Sequence, residues 1–185
     1  MKLLADLHVH SRASLDGRSS VEALIETART RGLSAITVSD HDLCPPLPDC
    51  KDLFLIPGVE ITSANGHILG LFLDAPIDFA ALGKFPPPAQ AIAAIHASGG
   101  LAGLAHPFAP QKLAPEEIAC LGFDAIETAN ARAATGFPGT RNCETGCKAV
   151  DDGTDSSNCL VQRQRTARAL AVWYMADVHD SAPQR

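Results

Sequence analysis

Short runs of alternating apolar and polar residues, interrupted by stretches of helical spacing, fill the first 130 positions of the chain. The opening unit is the clearest. Lys2 to Leu7 reads as a strand. After a polar loop, Val21, Leu24, Ile25 and Ala28 share one helical face, with Ser19 and Glu22 as a capping box ahead of them and Gly32 as the stop. Ser34 to Val38 is the next strand, and beyond the Pro-rich loop Cys44 to Asp49 come three short extended pieces, Leu53 to Ile56, Val59 to Thr62 and His67 to Leu73. A proline linker, Pro86-Pro87-Pro88, leads into a helix over Ala89 to Ser98 that Gly99-Gly100 ends. Leu101 to Ala105 is a strand closing at His106-Pro107, Pro115-Glu116-Glu117 opens a short helix, and Phe123 to Thr128 is a further strand. This order predicts an α/β fold with a parallel sheet or barrel.

Past about residue 138 the pattern changes. Gly139 to Ser157 is rich in Gly, Asp, Thr, Ser and Cys and reads as loop, and Val161 to Met175 is an Arg-bearing segment compatible with a helix that runs into the extended Trp173 to Val178. At 185 residues the chain fits one domain, and 46% hydrophobic with 19% charged residues places it among globular proteins rather than disordered ones. A net charge of -6 argues against gripping long nucleic acid by phosphate neutralisation, which needs a basic face. No apolar run reaches the roughly 18 residues of a membrane span, and Met1 to Ala5 runs directly into Asp6 and His8, so a cytoplasmic protein off the membrane is expected. The six cysteines, spread through a chain in which no export signal is read, are expected as free thiols, and Cys143 and Cys147 with the distant Cys159 lack a fourth ligand at zinc-finger spacing for a structural zinc.

Chemistry gathers at predicted strand ends. His8 and His10 follow the first strand with Asp6 beside them, Asp40-His41-Asp42 follows the second, Glu60 lies in a later one, His106 ends another, and Glu127 with Asn130 ends the last clear strand. In a parallel barrel such ends share one face, where active sites are built. His8 and His10 two apart on a strand point to the same side and can reach one cation. Imidazoles mixed with carboxylates suit Zn²⁺, Mn²⁺ or Fe²⁺ better than Ca²⁺, which prefers oxygen alone, and bridging carboxylates allow a multinuclear site. His96, by contrast, sits within a helix with no partner in view.

These residues carry a resemblance. Asp6-Leu7-His8-Val9-His10-Ser11, Ser39-Asp40-His41-Asp42, Pro57-Gly58-Val59-Glu60-Ile61, Gly66-His67-Ile68-Leu69-Gly70 and Ala105-His106-Pro107 resemble, in order and spacing, the motifs of the polymerase and histidinol phosphatase (PHP) family over about residues 1–135. The resemblance implies a distorted (β/α)7 barrel of the PHP type that holds two or three divalent metals (Zn, Mn or Fe) and hydrolyses phosphoesters. It further implies His8 and His10 as ligands of one metal, Asp16 and His41 of another, Glu60 as a bridging carboxylate, and His67 and His106 as further ligands. The family's late Asp-x-His finds its only counterpart in Asp177-Val178-His179. Either that pair completes the site, or the family-like sequence ends near Gly139 and the tail 139–185 leaves the barrel incomplete.

Asp6, Asp40 and Asp42 are expected to orient ring nitrogens of the ligand histidines or else to cap turns, with Glu127 and Asn130 in supporting roles. Arg12 and Arg132 are candidates to clamp a phosphate through their planar fork. The chemistry implied is metal-activated water acting on a small phosphomonoester or short nucleotide. No G-x-S-x-G elbow and no P-loop is present in the sequence. Two rivals stand beside this reading. One is a non-catalytic metal-binding or regulatory domain with an incomplete site. The other is an amidohydrolase-like C-N hydrolase, disfavoured because Lys51, Lys84 and Lys112 fall in loops rather than at a strand end.

Overall fold

A computed structural model describes residues 4–107 and 113–127. The first strand, β1 (Ala5–Val9), pairs in parallel with β2 (Ala35–Val38), and β2 pairs in parallel with β3 (Phe54–Ser63). β3 folds back antiparallel onto β4 (Gly66–Leu71), β4 runs antiparallel to β5 (Leu101–Leu104), and β5 is parallel to the two-residue β6 (Ala125–Ile126). The six strands thus lie in chain order in one curled sheet, a half-barrel in which β4 alone is reversed. Among the described residues no helix is long and apolar enough to cross a membrane.

Alternation along the strands splits the core in two. On the outer face Val59, Ile61, Ile68 and Ala102 pack against Ala91, Ile92 and Ile95 of helix α3 (Pro88–Ala97), while Val9, Ile36 and Val38 pack against Leu24, Ile25 and Ala28 of helix α1 (Val21–Thr30). Each fully buried Leu or Ile in these seams contributes about 1.5–3 kcal/mol. On the inner face Leu7, Ala35, Ile56, Leu69, Leu71 and Ala105 form a separate cluster that floors the half-barrel.

Several boundaries depart from the sequence expectation. β1 runs on through Val9, so His8 lies within the strand rather than after it. The α1 cap is Ser20, not Ser19: its side chain accepts from the Ala23 backbone N–H, and Glu22 falls in the first turn. The two pieces expected around Pro57-Gly58 are one strand. Pro57 pairs with Val38, the last residue of β2, where the ladder ends and a missing N–H costs little, and a Cβ on Gly58 would fall 2.2 Å from Thr37 Cγ2, so glycine is what lets the strands approach. A short helix, α2 (Phe79–Leu82), capped by Asp78, has no counterpart in the sequence expectation, whereas α4 (Pro115–Cys120) falls where the Pro-Glu-Glu signal puts it.

The feature that matters most for function is a slip in β1. Asp6 pairs with Ile36 and Val9 with Val38, so three steps on β1 match two on β2. One extra residue is absorbed there, as in a β-bulge, and the inward parity shifts. Leu7 below the slip enters the inner apolar floor, while its neighbour His8 also faces inward, into the polar cluster described next.

Candidate metal centre

Five strands and their exits bring five histidines around one carboxylate. His8 comes from β1, His10 from one residue beyond it, Glu60 from β3, His67 from β4, and His106 from just past β5. His41 follows β2 and makes a lone parallel bridge with Glu60. Glu60 is fully buried. Its Oε2 lies 3.2 Å from His8 Nε2, 2.9 Å from His10 Nε2 and 3.3 Å from His41 Nε2. Its Oε1 lies 3.1 Å from His67 Nδ1 and 3.0 Å from His106 Nε2.

The far sides of three rings are also held. His8 Nδ1 is 3.4 Å from Glu127 Oε2, which also accepts the His106 backbone N–H. His10 Nδ1 lies 2.8 Å from Asp16 Oδ1, and Asp16 Oδ2 reaches to 3.8 Å from His41 Nε2. His41 Nδ1 meets the Thr62 hydroxyl at 3.3 Å. Sequence reasoning misses Thr62, although a signal exists: it lies two residues past Glu60 on a strand and so shares its face.

Of the two roles open to the three aspartates, orienting rings or holding turns, the hydrogen bonds they accept from backbone N–H groups belong to the second. Asp6 accepts the His8 backbone N–H at the slip. Asp40, fully buried, accepts from the Ser11 N–H, the Ser11 hydroxyl and the Ser14 hydroxyl, and Ser14 Oγ in turn accepts the His41 N–H. It therefore pins the loop that carries Asp16 to the exit of β2. That loop closes tightly: a Cβ on Gly17 would fall 1.8 Å from the Ser11 carbonyl oxygen. Asp42 accepts the Thr62 N–H and acts on His41 only through Thr62. A short polar residue next to a strand end satisfies freed backbone groups as readily as it satisfies a ring, and here each of the three carboxylates accepts a backbone N–H.

Burial pushes the His8 imidazole down, but Glu60 and Glu127 outweigh it and hold its pKa well above the ordinary value. His10 follows the same balance, with burial overcome by Glu60 and Asp16. For His41 burial wins, helped by His10 and His67, and its pKa is lowered. Burial alone would raise Glu60, yet His8, His10, His106 and His67 keep its carboxyl well below the usual range. Glu127 is lowered in the same way by His8 and His106.

The donor set fits divalent metal. Glu60 Oε2 is buried and has no hydrogen-bond partner among the described residues, although three ring nitrogens stand at contact distance. His8 Nε2 and His10 Nε2 lie 3.0 Å apart and both face Glu60 Oε2, so the three atoms converge as ligands of a shared cation would. Donor atoms fall into two groups, each within 4.8 Å: His8, Glu60 and His106, and His10, His41 and Glu60. Glu60 belongs to both, and His8 and His10 part between them.

Other expected residues lie apart. Arg12 is exposed in the loop after β1; its guanidinium adds to the lowering of the Glu22 carboxyl, which owes more to the Glu22 backbone N–H and the Ser20 hydroxyl. His96 is exposed but not alone: its Nε2 lies 2.8 Å from Asp124 Oδ2, which also accepts the Ala102 N–H. Among the described lysines, Lys51 and Lys84 are on no strand. Asn130, Arg132, Asp177 and His179, with the whole tail 139–185, lie outside the described residues.

The profile of the PHP domain family matches residues 6–94. The chain is 31% identical over 144 residues, covering 69% of its own length and 81% of the relative's, to an uncharacterized protein of Methanocaldococcus jannaschii. It is 33% identical over 84 residues, covering 39% of its own length but 28% of the relative's, to the 5'-3' exoribonuclease Rnm of Salmonella typhimurium. Among solved structures, an amidohydrolase from Chromobacterium violaceum matches with a TM-score of 0.58 at 16% identity, over 79% of this chain and 82% of that one. A protein assigned as a metal-dependent phosphoesterase, from Bifidobacterium adolescentis, matches with a TM-score of 0.58 at 18% identity, over 80% and 85% of the two chains. At those identities the likeness is one of fold.

Proposed function

The chain belongs to the PHP domain family, and from that premise we propose that it is a metal-dependent phosphoesterase that hydrolyses a small phosphomonoester or short nucleotide. The observation that carries this reading is the buried Glu60 carboxylate with five imidazole nitrogens between 2.9 and 3.3 Å of it. We assign His8, His106 and Glu60 to one ion and His10, His41 and Glu60 to a second, with Asp16 and His67 at the margin of the pair. Two ions per chain follow, Zn²⁺, Mn²⁺ or Fe²⁺ by donor type, and a third requires further ligands such as Asp177 and His179.

Bound divalent cations supply Lewis acidity, bringing water toward ionisation near neutral pH and offsetting charge on the phosphoryl oxygens. The residues do the rest. Glu60, shared by both groups, fixes the separation of the two positions. Glu127 and Asp16 hold the His8 and His10 rings so that Nε2 faces inward. His10, His41, His67 and His106 are partly exposed, and a phosphoryl group approaches from their side, over the buried His8 and Glu60. Arg12 and Arg132 remain our candidates for the phosphate beyond that rim.

The resemblance to an exoribonuclease relaxes the expectation against nucleic acid: a chain end enters a metal site without the basic face that duplex binding needs. The amidohydrolase reading shares the fold, but neither described lysine occupies a strand end to bridge two metals. The test is metal content per chain by elemental analysis, with hydrolysis of a generic phosphomonoester in Mn²⁺ or Zn²⁺. About two ions with turnover is the expected result; none, without turnover, overturns it.

A further inference from the structure

Three of the five rings are backed on Nδ1, and the backing differs in kind. His8 and His10 each meet a carboxylate, Glu127 or Asp16, which only accepts and so favours the Nδ1–H tautomer at all times. His41 meets a hydroxyl, which both donates and accepts. Thr62 is itself set in place. Its N–H is taken by Asp42 Oδ1 at 2.8 Å, and Asp42 is held by donating its own N–H to the Glu60 carbonyl at 2.9 Å, with a backbone φ of 52°. A left-handed aspartate is tolerated where its side chain bonds locally, as here. Register places Thr62 opposite His67 and two residues from Glu60, on the inner face.

We propose that Thr62 is the positioning residue of His41, a hydroxyl that keeps the ring in place in either tautomer, so that His41 is the ligand able to release and retake a cation. Without metal, the His41 Nε2–H faces Glu60 Oε2, 3.3 Å away, and the Thr62 hydroxyl donates to Nδ1. With a cation bound, the His41 Nε2 lone pair would serve as its ligand, the proton would reside on Nδ1, and the Thr62 hydroxyl would accept it. The proton leaves one nitrogen and a solvent proton occupies the other, so charge balances. The carboxylate-backed rings keep the proton on Nδ1 with or without a cation. This inference rests on the metal reading above, but neither of its readouts requires turnover.

The experiment is ¹⁵N NMR of the imidazoles in the full chain, metal-free and with Zn²⁺, alongside chelator competition for Zn²⁺ in Thr62→Val and Thr62→Ser. The expected result is His41 changing from Nε2–H to Nδ1–H on Zn²⁺ addition while His8 and His10 keep their Nδ1 protons. Thr62→Val, nearly isosteric, should weaken one Zn²⁺ by about 10–100-fold, and Thr62→Ser should restore it. His41 in the same tautomer in both states, Zn²⁺ bound by Thr62→Val as by the parent, or a Thr62→Ser no better than the valine would each overturn the proposal. If the parent binds Zn²⁺ and switches tautomer but hydrolyses no phosphoester, the functional reading fails while the role of Thr62 stands.

Discussion

The two donor groups that share Glu60 are built differently. The first, His8, Glu60 and His106, draws on β1, β3 and the exit of β5, and two of its three members are buried. The second, His10, His41 and Glu60, draws on adjacent strand exits and is half-exposed but for Glu60. One is assembled from far along the chain and braced by the buried Glu127; the other sits on loops, braced by Asp16 and Thr62 at the rim. The contrast is one of depth: the first group is buried apart from His106, and the second opens at the rim.

Glu60→Gln tests what the groups have in common. It keeps the shape and removes the shared charge, so about two ions per chain should be lost together with phosphomonoester hydrolysis; retention of either ion by elemental analysis breaks the shared-carboxylate assignment. His106→Ala and His41→Ala separate the groups. Each should cost about one ion, and the double variant about two; a double variant that still keeps one ion would mean that the groups are not distinct. Glu127→Gln sharpens the contrast further, weakening the first position by about 10–100-fold in chelator competition and leaving the second unmoved. Away from the centre, Ser20→Ala should lower unfolding free energy by about 1 kcal/mol through loss of the α1 cap, read from urea midpoints. The smallest effect concerns the exposed Arg29–Asp52 pair. Hydrogen bonds from Arg29 and Cys50 take the Asp52 carboxyl from 3.8 to about 2. Because the folded pKa is depressed, the contribution is complete above pH about 4 and is lost as pH falls toward 2. Asp52→Asn should flatten that part of the pH-stability curve only slightly, as for any exposed pair.

Much of this site is legible in the order of residues alone. His8, His10, His41, Glu60 and His106 announce themselves by residue type on predicted strands and just past them, and long-range convergence follows once those strands lie side by side. What is not legible has physical causes. Thr62 carries no chemical signature, since a hydroxyl on a strand is ordinary until a ring nitrogen stands over it. Asp6, Asp40 and Asp42 look like ring partners, but backbone N–H groups freed at a slip and at strand exits compete for the same carboxylates. His96 finds Asp124 only because α3 packs beside β5, a contact that local sequence does not encode. The single β3 is hidden by Pro57-Gly58, a pair that reads as punctuation unless the neighbouring strand ends there.

The slip in β1 has a consequence for how this strand can vary. Below it, inward positions demand apolar volume to floor the half-barrel; from His8 on, inward positions carry the imidazoles that face Glu60. Two rules of opposite polarity are thus written in different phase on five residues, Ala5–Val9. A saturation scan of β1 should therefore show a tolerance pattern with period two that jumps phase between Leu7 and His8. A one-residue deletion there, harmless to strand propensity, would exchange a methyl-bearing wall for an imidazole and leave a barrel with its chemistry facing the wrong way.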